Sequence, residues 1–97
     1  MQQKPPNYLS AQAKRIWTKI IETYEIEDIA ALTILKTACD SFDRAEKARK
    51  QLDKEGITVT DRWGQQKSHP AASIERDARA QFLAALKALR IDWWSVD

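Results

Sequence analysis

One stretch decides the fold of this chain: residues 28–55, with the sequence DIAALTILKTACDSFDRAEKARKQLDKE. Its apolar residues recur every three or four positions, the spacing of one face of an α-helix, and they are Ile29, Leu32, Leu35, Cys39, Phe42, Ala45, Ala48 and Leu52. Asp28 is suited to cap the start of this helix, and Gly56 to the left-handed residue that ends it. The stretch predicts a single helix roughly 40 Å long, more than a small globule needs to cover its own core.

The apolar face of this helix narrows along its length. The first half carries Ile, Leu and Phe, whereas residues 44–55 carry only Ala45, Ala48 and Leu52 among many charges. A narrow apolar stripe between charged positions is typical of a two-helix coiled coil rather than of a helix enclosed in a core. We therefore expect this half to form an arm with another helix of the same chain.

The residues before the long helix predict an extended arm and a short helix. Pro5 and Pro6 favour an extended conformation in residues 1–9. Ser10 is a good N-cap for a helix over residues 10–24, whose apolar face consists of Ala13, Ile16, Trp17, Ile20, Ile21 and Tyr24. Residues 25–28 are a short acidic connector, through which the two helices could meet in a corner like that of a helix-turn-helix.

The sequence pattern changes from helical to alternating after Gly56. Ile57-Thr-Val-Thr60 is β-branched throughout and Asp61-Arg-Trp-Gly64 supplies turn residues, so residues 57–67 predict a β-hairpin. Pro70 fits the first turn of a helix. Residues 70–89 predict that helix, with an apolar stripe of Ile74, Ala78, Phe82, Leu83, Leu86 and Leu89. Residues 90–97 are a largely apolar tail.

These elements predict a single small domain over residues 1–97. Its fold class is mainly all-α: a short N-terminal helix, a long central helix that forms an antiparallel helical arm with a third helix, and a short β-hairpin between them. The single cysteine, Cys39, excludes an intrachain disulfide and lies on the apolar face, where it is expected to be a small core residue. Neither a signal-peptide pattern nor a membrane-spanning run is present, so we expect a cytoplasmic protein.

The charges of the chain are segregated along the sequence, although the formal net charge is only +2. Residues 1–19 hold four basic residues and no acidic one, and residues 20–43 hold six acidic residues against Lys36. Such segregation predicts a basic surface for an anion such as nucleic acid, or an acid-to-base contact between subunits. Ordinary solvated helix faces would explain any one of these charges equally well.

The sequence predicts no catalytic, metal or cofactor site. His69 has neither a nucleophile nor further metal ligands near it in sequence, so it is expected to be a turn residue beside Pro70. The acidic residues between Glu22 and Asp28 lie where helix ends ordinarily attract acids. The two glycines, Gly56 and Gly64, do not form a phosphate-binding loop. A binding or assembly protein is therefore the expected class.

The order of features along the chain resembles a known family, the small terminase subunits of tailed bacteriophages, in the group often called the P27 family. The resemblance covers about residues 5–91: Pro-Asn-Tyr-Leu-Ser10, then Trp17, an acid before the long helix, Gly56-Ile-Thr-Val, a turn with Gly64, and His69-Pro70-Ala71 before an amphipathic helix. At the end, Leu89-Arg-Ile-Asp-Trp-Trp departs from the family's frequent Leu-Gly-Leu-Thr-Pro and basic tail.

The resemblance implies a non-enzymatic factor of viral DNA packaging. Proteins of this family form ring-shaped homo-oligomers, bind the region of double-stranded viral DNA where packaging begins, and recruit or regulate the terminase large subunit, which carries the ATPase and nuclease. The two alternatives are a small helical DNA-binding regulator of a prophage, acting as a dimer, and a phage structural protein that does not bind DNA.

Two sets of residues are predicted to mediate these contacts. DNA binding is expected at Lys4, Lys14, Arg15 and Lys19, with Arg62 and Lys67 as a second set, because they are the basic residues of the N-terminal region and of the hairpin. Trp17 is expected in the core. The predicted interface residues are Leu52 on the arm, Trp63 at the hairpin tip, and Trp93 and Trp94 in the tail. For Trp63, packing beneath the hairpin is the favoured alternative to a partner contact. The expected partner of the tail is the large subunit or a neighbouring small subunit, and docking on its own chain is equally compatible with the sequence.

Overall fold

The computed structural model describes residues 3–91, so the predicted contacts of Trp93 and Trp94 lie outside the described residues. The elements follow one another as α1 (Ala11–Tyr24), α2 (Ile29–Glu55), β1 (Thr58–Thr60), β2 (Gln66–Ser68) and α3 (Pro70–Ala88). The two strands pair antiparallel, with Val59 opposite Lys67. The mainly helical fold with a hairpin between the second and third helices is therefore confirmed.

Local signals in the sequence account for the two ends of α2. The Asp28 carboxylate accepts a hydrogen bond from the Ala31 N–H at 3.1 Å, as an N-cap should. At the other end Gly56 has a φ of 85° but a ψ of 164°, so the predicted left-handed conformation is wrong there. Only Ile57 lies between Gly56 and β1, so the extended ψ of Gly56 directs the chain towards that strand. Glycine permits the positive φ because it lacks a Cβ. Glu25, which ends α1, does adopt the left-handed conformation.

Helix α1 lies antiparallel on the first half of α2 and is held there by two acids. The Asp43 carboxylate accepts hydrogen bonds from Ser10, at 2.8 Å from the backbone N–H and at 2.5 Å from the hydroxyl. The Tyr8 hydroxyl donates to the Asp40 carboxylate at 2.7 Å. The Ser10 hydroxyl also accepts the Ala13 N–H and so caps α1. Two acids of the acidic segment therefore fasten the beginning of α1 to the middle of α2.

The core between α1 and α2 is a cluster of buried apolar residues: Leu9, Ala13, Trp17, Ile21, Leu35 and Cys39. Trp17 is 5% exposed, which confirms its expected place in the core, and its indole N–H donates to the Gln3 carbonyl at 3.1 Å. Ile29, which the periodicity placed on the apolar face, is 80% exposed. It lies about two and a half helical turns before the buried Ala38, and a half-turn remainder places the two residues on opposite faces.

Helix α3 packs antiparallel along α2 through small side chains. Ala71, Ala78 and Ala85 are the buried residues of α3, and they recur every seven positions as in a coiled coil. The predicted stripe is wrong at Ile74 and Leu83, which are 45% and 64% exposed. Alanine at the contact positions lets the helices approach closely, because interaxial distance depends on side-chain size.

The second half of α2 and the beginning of α3 form the predicted arm. Leu52, Ala48 and Ala71 make a separate buried cluster at its centre. Ion pairs flank this cluster: the Arg79 guanidinium lies 2.9 Å from the Glu46 carboxylate and 3.1 Å from that of Glu75. This arrangement of a narrow apolar seam between charged pairs is the one that the sequence of residues 44–55 indicated.

His69 joins the ends of α2 and α3, which is more than the turn role expected of it. The side chain is buried at 5% exposure. Its Nδ1 accepts the Ala71 N–H at 3.0 Å and so caps α3, and its Nε2 lies 3.0 Å from the Glu55 carboxylate. Because Nδ1 accepts, the proton of a neutral imidazole is on Nε2, which donates to Glu55. The backbone N–H of His69 also donates to the Ile57 carbonyl at 2.8 Å.

We expect His69→Ala to lower the free energy of unfolding more than His69→Asn does. Asparagine keeps a side-chain oxygen that can cap α3, whereas alanine removes the cap as well as the bond to Glu55, and removal of a cap costs about 1 kcal/mol. Urea unfolding of both variants, followed by circular dichroism, measures the difference. Equal effects of the two variants would contradict the capping role of the imidazole.

The same contact makes part of the stability dependent on pH. The hydrogen bond from His69 lowers the pKa of the Glu55 carboxyl below its ordinary value. A lowered pKa in the folded state contributes stability above the ordinary carboxyl pKa, and this stability is lost as the pH falls through the lowered value. In Glu55→Gln the free energy of unfolding should therefore fall less steeply than in wild type as the pH is lowered through the acidic range. Urea unfolding at several pH values measures this dependence, and the same dependence in both proteins would contradict the contribution of Glu55.

Cys39 should react with thiol reagents only when α1 separates from α2. Burial, with the nearby carboxylates of Asp40 and Asp43, raises the pKa of its thiol to about 12, so almost no thiolate exists at neutral pH. Ser10→Ala removes a cap and a hydrogen bond to Asp43 and should speed labelling roughly fivefold, because about 1 kcal/mol changes an opening equilibrium by that factor.

Ser73→Ala is the matched control for the labelling experiment, because the Ser73 hydroxyl donates within α3 to the Pro70 carbonyl, away from α1. Labelling rates with an aromatic disulfide reagent should be unchanged in this variant. Equal acceleration by the two serine variants would mean that the thiol becomes accessible by global unfolding and not by detachment of α1.

Candidate nucleic-acid interface

The basic residues of α1 follow from the way the helix packs. Ala13, Trp17 and Ile21 face α2, and this directs Arg15 and Lys19, one turn apart, to the exposed side of α1. Lys14 lies at the flank and is half-buried. The outer surface here borders an open hollow of about 700 Å³, lined by Gln12, Lys14, Arg15, Ile16, Thr18, Lys19, Glu22 and Phe42. The structure therefore brings together three of the four predicted N-terminal DNA-binding residues.

The cations of α1 are not neutralised within the described part of the chain. Among residues 3–91, none of Lys14, Arg15 and Lys19 has a carboxylate oxygen within 4 Å of its charged nitrogens. By contrast, Arg49 and Arg79 on the arm are both paired with acids. Cations that have no acidic partner in this part of the chain attract phosphates through long-range electrostatics.

Lys4, the fourth residue of this set, lies at a different hollow. This hollow measures about 250 Å³ and is lined by Gln3, Lys4, Pro6, Trp17, Leu32, Thr33 and Lys36. Sequence reasoning counts Lys36 only as the single base of the acidic segment and misses it as a neighbour of Lys4. No local sequence signal could have found this pair, because it arises from the extended arm crossing the first half of α2.

The second predicted set, Arg62 and Lys67, lies on the hairpin. The Arg62 guanidinium carbon lies 4.4 Å from the centroid of the Trp63 ring, a cation–π contact, and Trp63 is 70% exposed. The Lys67 ammonium lies 3.5 Å from the Asp61 carboxylate, which partly balances its charge. Asp61 also accepts the backbone N–H groups of Trp63 and Gln65, both at 2.9 Å, and so shapes the turn.

The two basic sets do not form one patch. Helix α1 begins level with Asp43, and the hairpin follows Glu55. These two points of α2 are about 18 Å apart along the helix axis. The molecule is elongated, with extents of 57 × 28 × 23 Å. A single short DNA contact would therefore engage one set, and engaging both requires DNA that runs along the molecule.

The predicted interface residues have different surroundings. Trp63 is 70% exposed at the tip of the hairpin, so the expectation that it packs beneath the hairpin is wrong, and a partner could reach it. Leu52 is 5% exposed and packs against Ala48 and Ala71, so its side chain is buried between the two helices of its own arm. Reaching Leu52 from another subunit would require the arm to open.

Neither ring nitrogen of His69 is free for proton transfer, since both are engaged in the contacts that join α2 to α3.

Within residues 3–91, no group of three or more His, Cys, Asp or Glu side chains is arranged to hold a metal ion. In the same residues, no helix combines the length and the apolar character that crossing a membrane requires.

Comparison with known proteins agrees with the resemblance in the sequence. A family model described as phage terminase, small subunit, matches residues 13–92, which include all three helices with the exception of the first two residues of α1. No curated protein and no solved structure matches the chain. The narrower P27 group stays a prediction. The chain belongs to the phage terminase small subunit family.

Proposed function

We propose that this protein recognises viral double-stranded DNA at the start of packaging and recruits or regulates the terminase large subunit, which supplies the ATPase and nuclease. Membership of the family supports a role in phage DNA packaging. The protein itself contributes binding surfaces rather than catalysis. The tail residues Trp93 and Trp94 remain the predicted contacts for the large subunit, and the host cytoplasm is the expected place of action.

The observation that carries the DNA-binding part of this proposal is the basic surface of α1, whose cations have no acidic partner among residues 3–91. Lys14, Arg15 and Lys19 gather three positive charges within two turns of one helix, and among residues 3–91 Glu22 is the only acid that lines the same hollow. Long-range attraction to phosphates and release of counterions follow from such a surface. Few side chains here could read base edges, so we expect contacts mainly with the DNA backbone.

A ring-shaped homo-oligomer would strengthen this modest surface. Each subunit would repeat the same cations, and several weak contacts on one DNA molecule add through effective concentration. The elongated arm ends in exposed apolar residues of the hairpin, Ile57, Val59 and Trp63, which are suited to a contact with a neighbour. Head-to-tail contacts of this kind generate a ring when the rotation between subunits closes.

Removing the basic surface should weaken DNA binding and its dependence on salt. The variant Lys14→Ala/Arg15→Ala/Lys19→Ala should bind duplex DNA at least tenfold more weakly at low salt. Its slope of log affinity against log salt should also fall, by about 0.9 for every phosphate that the variant no longer neutralises. Fluorescence anisotropy at several salt concentrations measures both quantities, and circular dichroism checks that the helices remain.

The variant Lys47→Ala/Lys50→Ala/Lys54→Ala is the matched control. It removes the same charge from exposed positions on the arm, away from α1. We expect it to change affinity far less than the α1 variant. If the α1 variant retains wild-type affinity and salt slope, or if the two variants behave alike, the proposed surface is wrong.

The mass of the protein in solution tests the ring. Light scattering after size-exclusion chromatography at micromolar concentration should give an oligomer larger than a dimer. Trp63→Ala should shift the population towards smaller species, because exposed tryptophans commonly anchor interfaces. Leu83→Ala, which also truncates an exposed apolar residue but on α3, is the comparison. A dimer would favour the prophage regulator, and a monomer would contradict assembly through this hairpin.

A further inference from the structure

The hollow beside α1 combines positive charge with apolar surface. Lys14, Arg15 and Lys19 supply the charge, and Ile16 and Phe42 supply apolar atoms between and beneath them. Its volume of about 700 Å³ falls within the range of about 300–1,000 Å³ that pockets for organic groups occupy. DNA backbone alone would use the cations but leave the apolar part without a partner. The composition of the hollow therefore fits a segment that carries both acids and aromatic rings.

The chain itself provides such a segment directly after α3. Residues 92–97 read Asp-Trp-Trp-Ser-Val-Asp, with two acids, two indoles and no base. Two carboxylates complement the excess of positive charge around the hollow. Indole rings bury large apolar areas and also stack on guanidinium groups such as that of Arg15.

The end of α3 delivers this segment close to α1. Leu89 packs against the buried cluster between α1 and α2, and Ile16 and Ile20 of α1 pack against the same cluster. The Arg90 N–H donates to the Lys87 carbonyl at 2.9 Å and the Ile91 N–H donates to the Leu86 carbonyl at 3.1 Å, with Arg90 at a φ of 58°. This pair of bonds is a Schellman motif, which turns the chain away from the helix axis.

The lengths are compatible with a contact inside one chain. Six residues span at most roughly 20 Å when extended. The part of α1 that lines the hollow, from Gln12 to Glu22, is about 15 Å long. A segment that starts beside α1 can therefore cover the hollow without help from another subunit.

We propose that residues 92–97 dock on the α1 hollow of their own chain, with the two aspartates against the cations and the indoles against Ile16 and Phe42. The docked segment competes with DNA for the same cations. DNA displaces it, and this releases Trp93 and Trp94 for a partner, so that DNA binding and exposure of the tail are coupled. This competition rests on the proposed function, whereas the docking itself does not.

Disulfide trapping in the full chain tests the docking without DNA. Thr18→Cys places a thiol at the hollow without removing a charge, and Ser95→Cys places one in the tail. Mild oxidation should convert this double variant to an intrachain disulfide, read as a monomeric mass smaller by two hydrogens and a linked pair of peptides. Thr58→Cys with Ser95→Cys is the control, because Thr58 lies on the hairpin beyond the arm. Cys39 is buried and does not compete.

The outcomes of the trapping experiment separate the alternatives. An intrachain bond that forms with Thr18→Cys, fails with Thr58→Cys and disappears when Lys14, Arg15 and Lys19 are also replaced by alanine supports the proposal. A covalent dimer overturns it in favour of a tail that reaches a neighbouring subunit. No preference between the two cysteine positions overturns it altogether.

DNA affinity tests the competition. Trp93→Ala/Trp94→Ala in the full chain should bind DNA several-fold more tightly than wild type at low salt, and Asp92→Asn/Asp97→Asn should do the same. Unchanged or weaker binding by both variants would refute the competition. If wild type and variants all fail to bind DNA, the proposed function fails, while the trapping experiment still decides the docking on its own.

Discussion

The close contact between α2 and α3 is the constraint on which the remaining structure depends. Much of it is made by small residues: Ala38, Ser41, Ala45 and Ala48 on α2 and the three buried alanines of α3. Larger side chains add two contacts, Phe42 with Phe82 at 5.6 Å between ring centroids and Leu52 with Ala71. Small side chains contribute little apolar area each, so the contact draws its stability from close backbone approach and from many weak dispersion contacts along its length. Helix α1 then covers the remaining side of the first half of α2. The hairpin only closes the far end.

The sequence was informative where a signal is local. Helix α2 could be predicted because its caps, its uninterrupted run and its narrowing apolar face all lie within the helix itself. The α3 contact could not be predicted correctly, because periodicity was read from large residues such as Ile74 and Leu83, whereas the helices meet through alanines. The role of His69 was also missed, since its partner Glu55 becomes adjacent only when the hairpin folds back.

The candidate site could be predicted in part for the same reason. Helical spacing alone places Arg15 and Lys19 on one exposed side of α1. The sequence could not show which groups lie next to each charged side chain in the fold. Asp40 and Asp43 belong to the acidic segment, but they accept hydrogen bonds from Tyr8 and Ser10, more than thirty residues away. In the fold, acids of the acidic segment hold the beginning of α1 in place, and the basic residues of α1 lie on its exposed side.

Two helices that pack antiparallel need a connection between them and a fixed register against each other. In this protein the imidazole at the start of α3 sets the register, separately from the turn that makes the connection. His69 fixes where α3 begins through its bonds to Glu55, Ile57 and Ala71, all close to the helix ends. The turn between Thr60 and Gln66 makes none of these bonds and does not fix the start of α3. Its length and composition are therefore free to diverge among related chains without shifting the register of the two long helices. Insertions of foreign sequence at the tip should be tolerated for the same reason, which makes this loop a natural position for changing what the arm contacts.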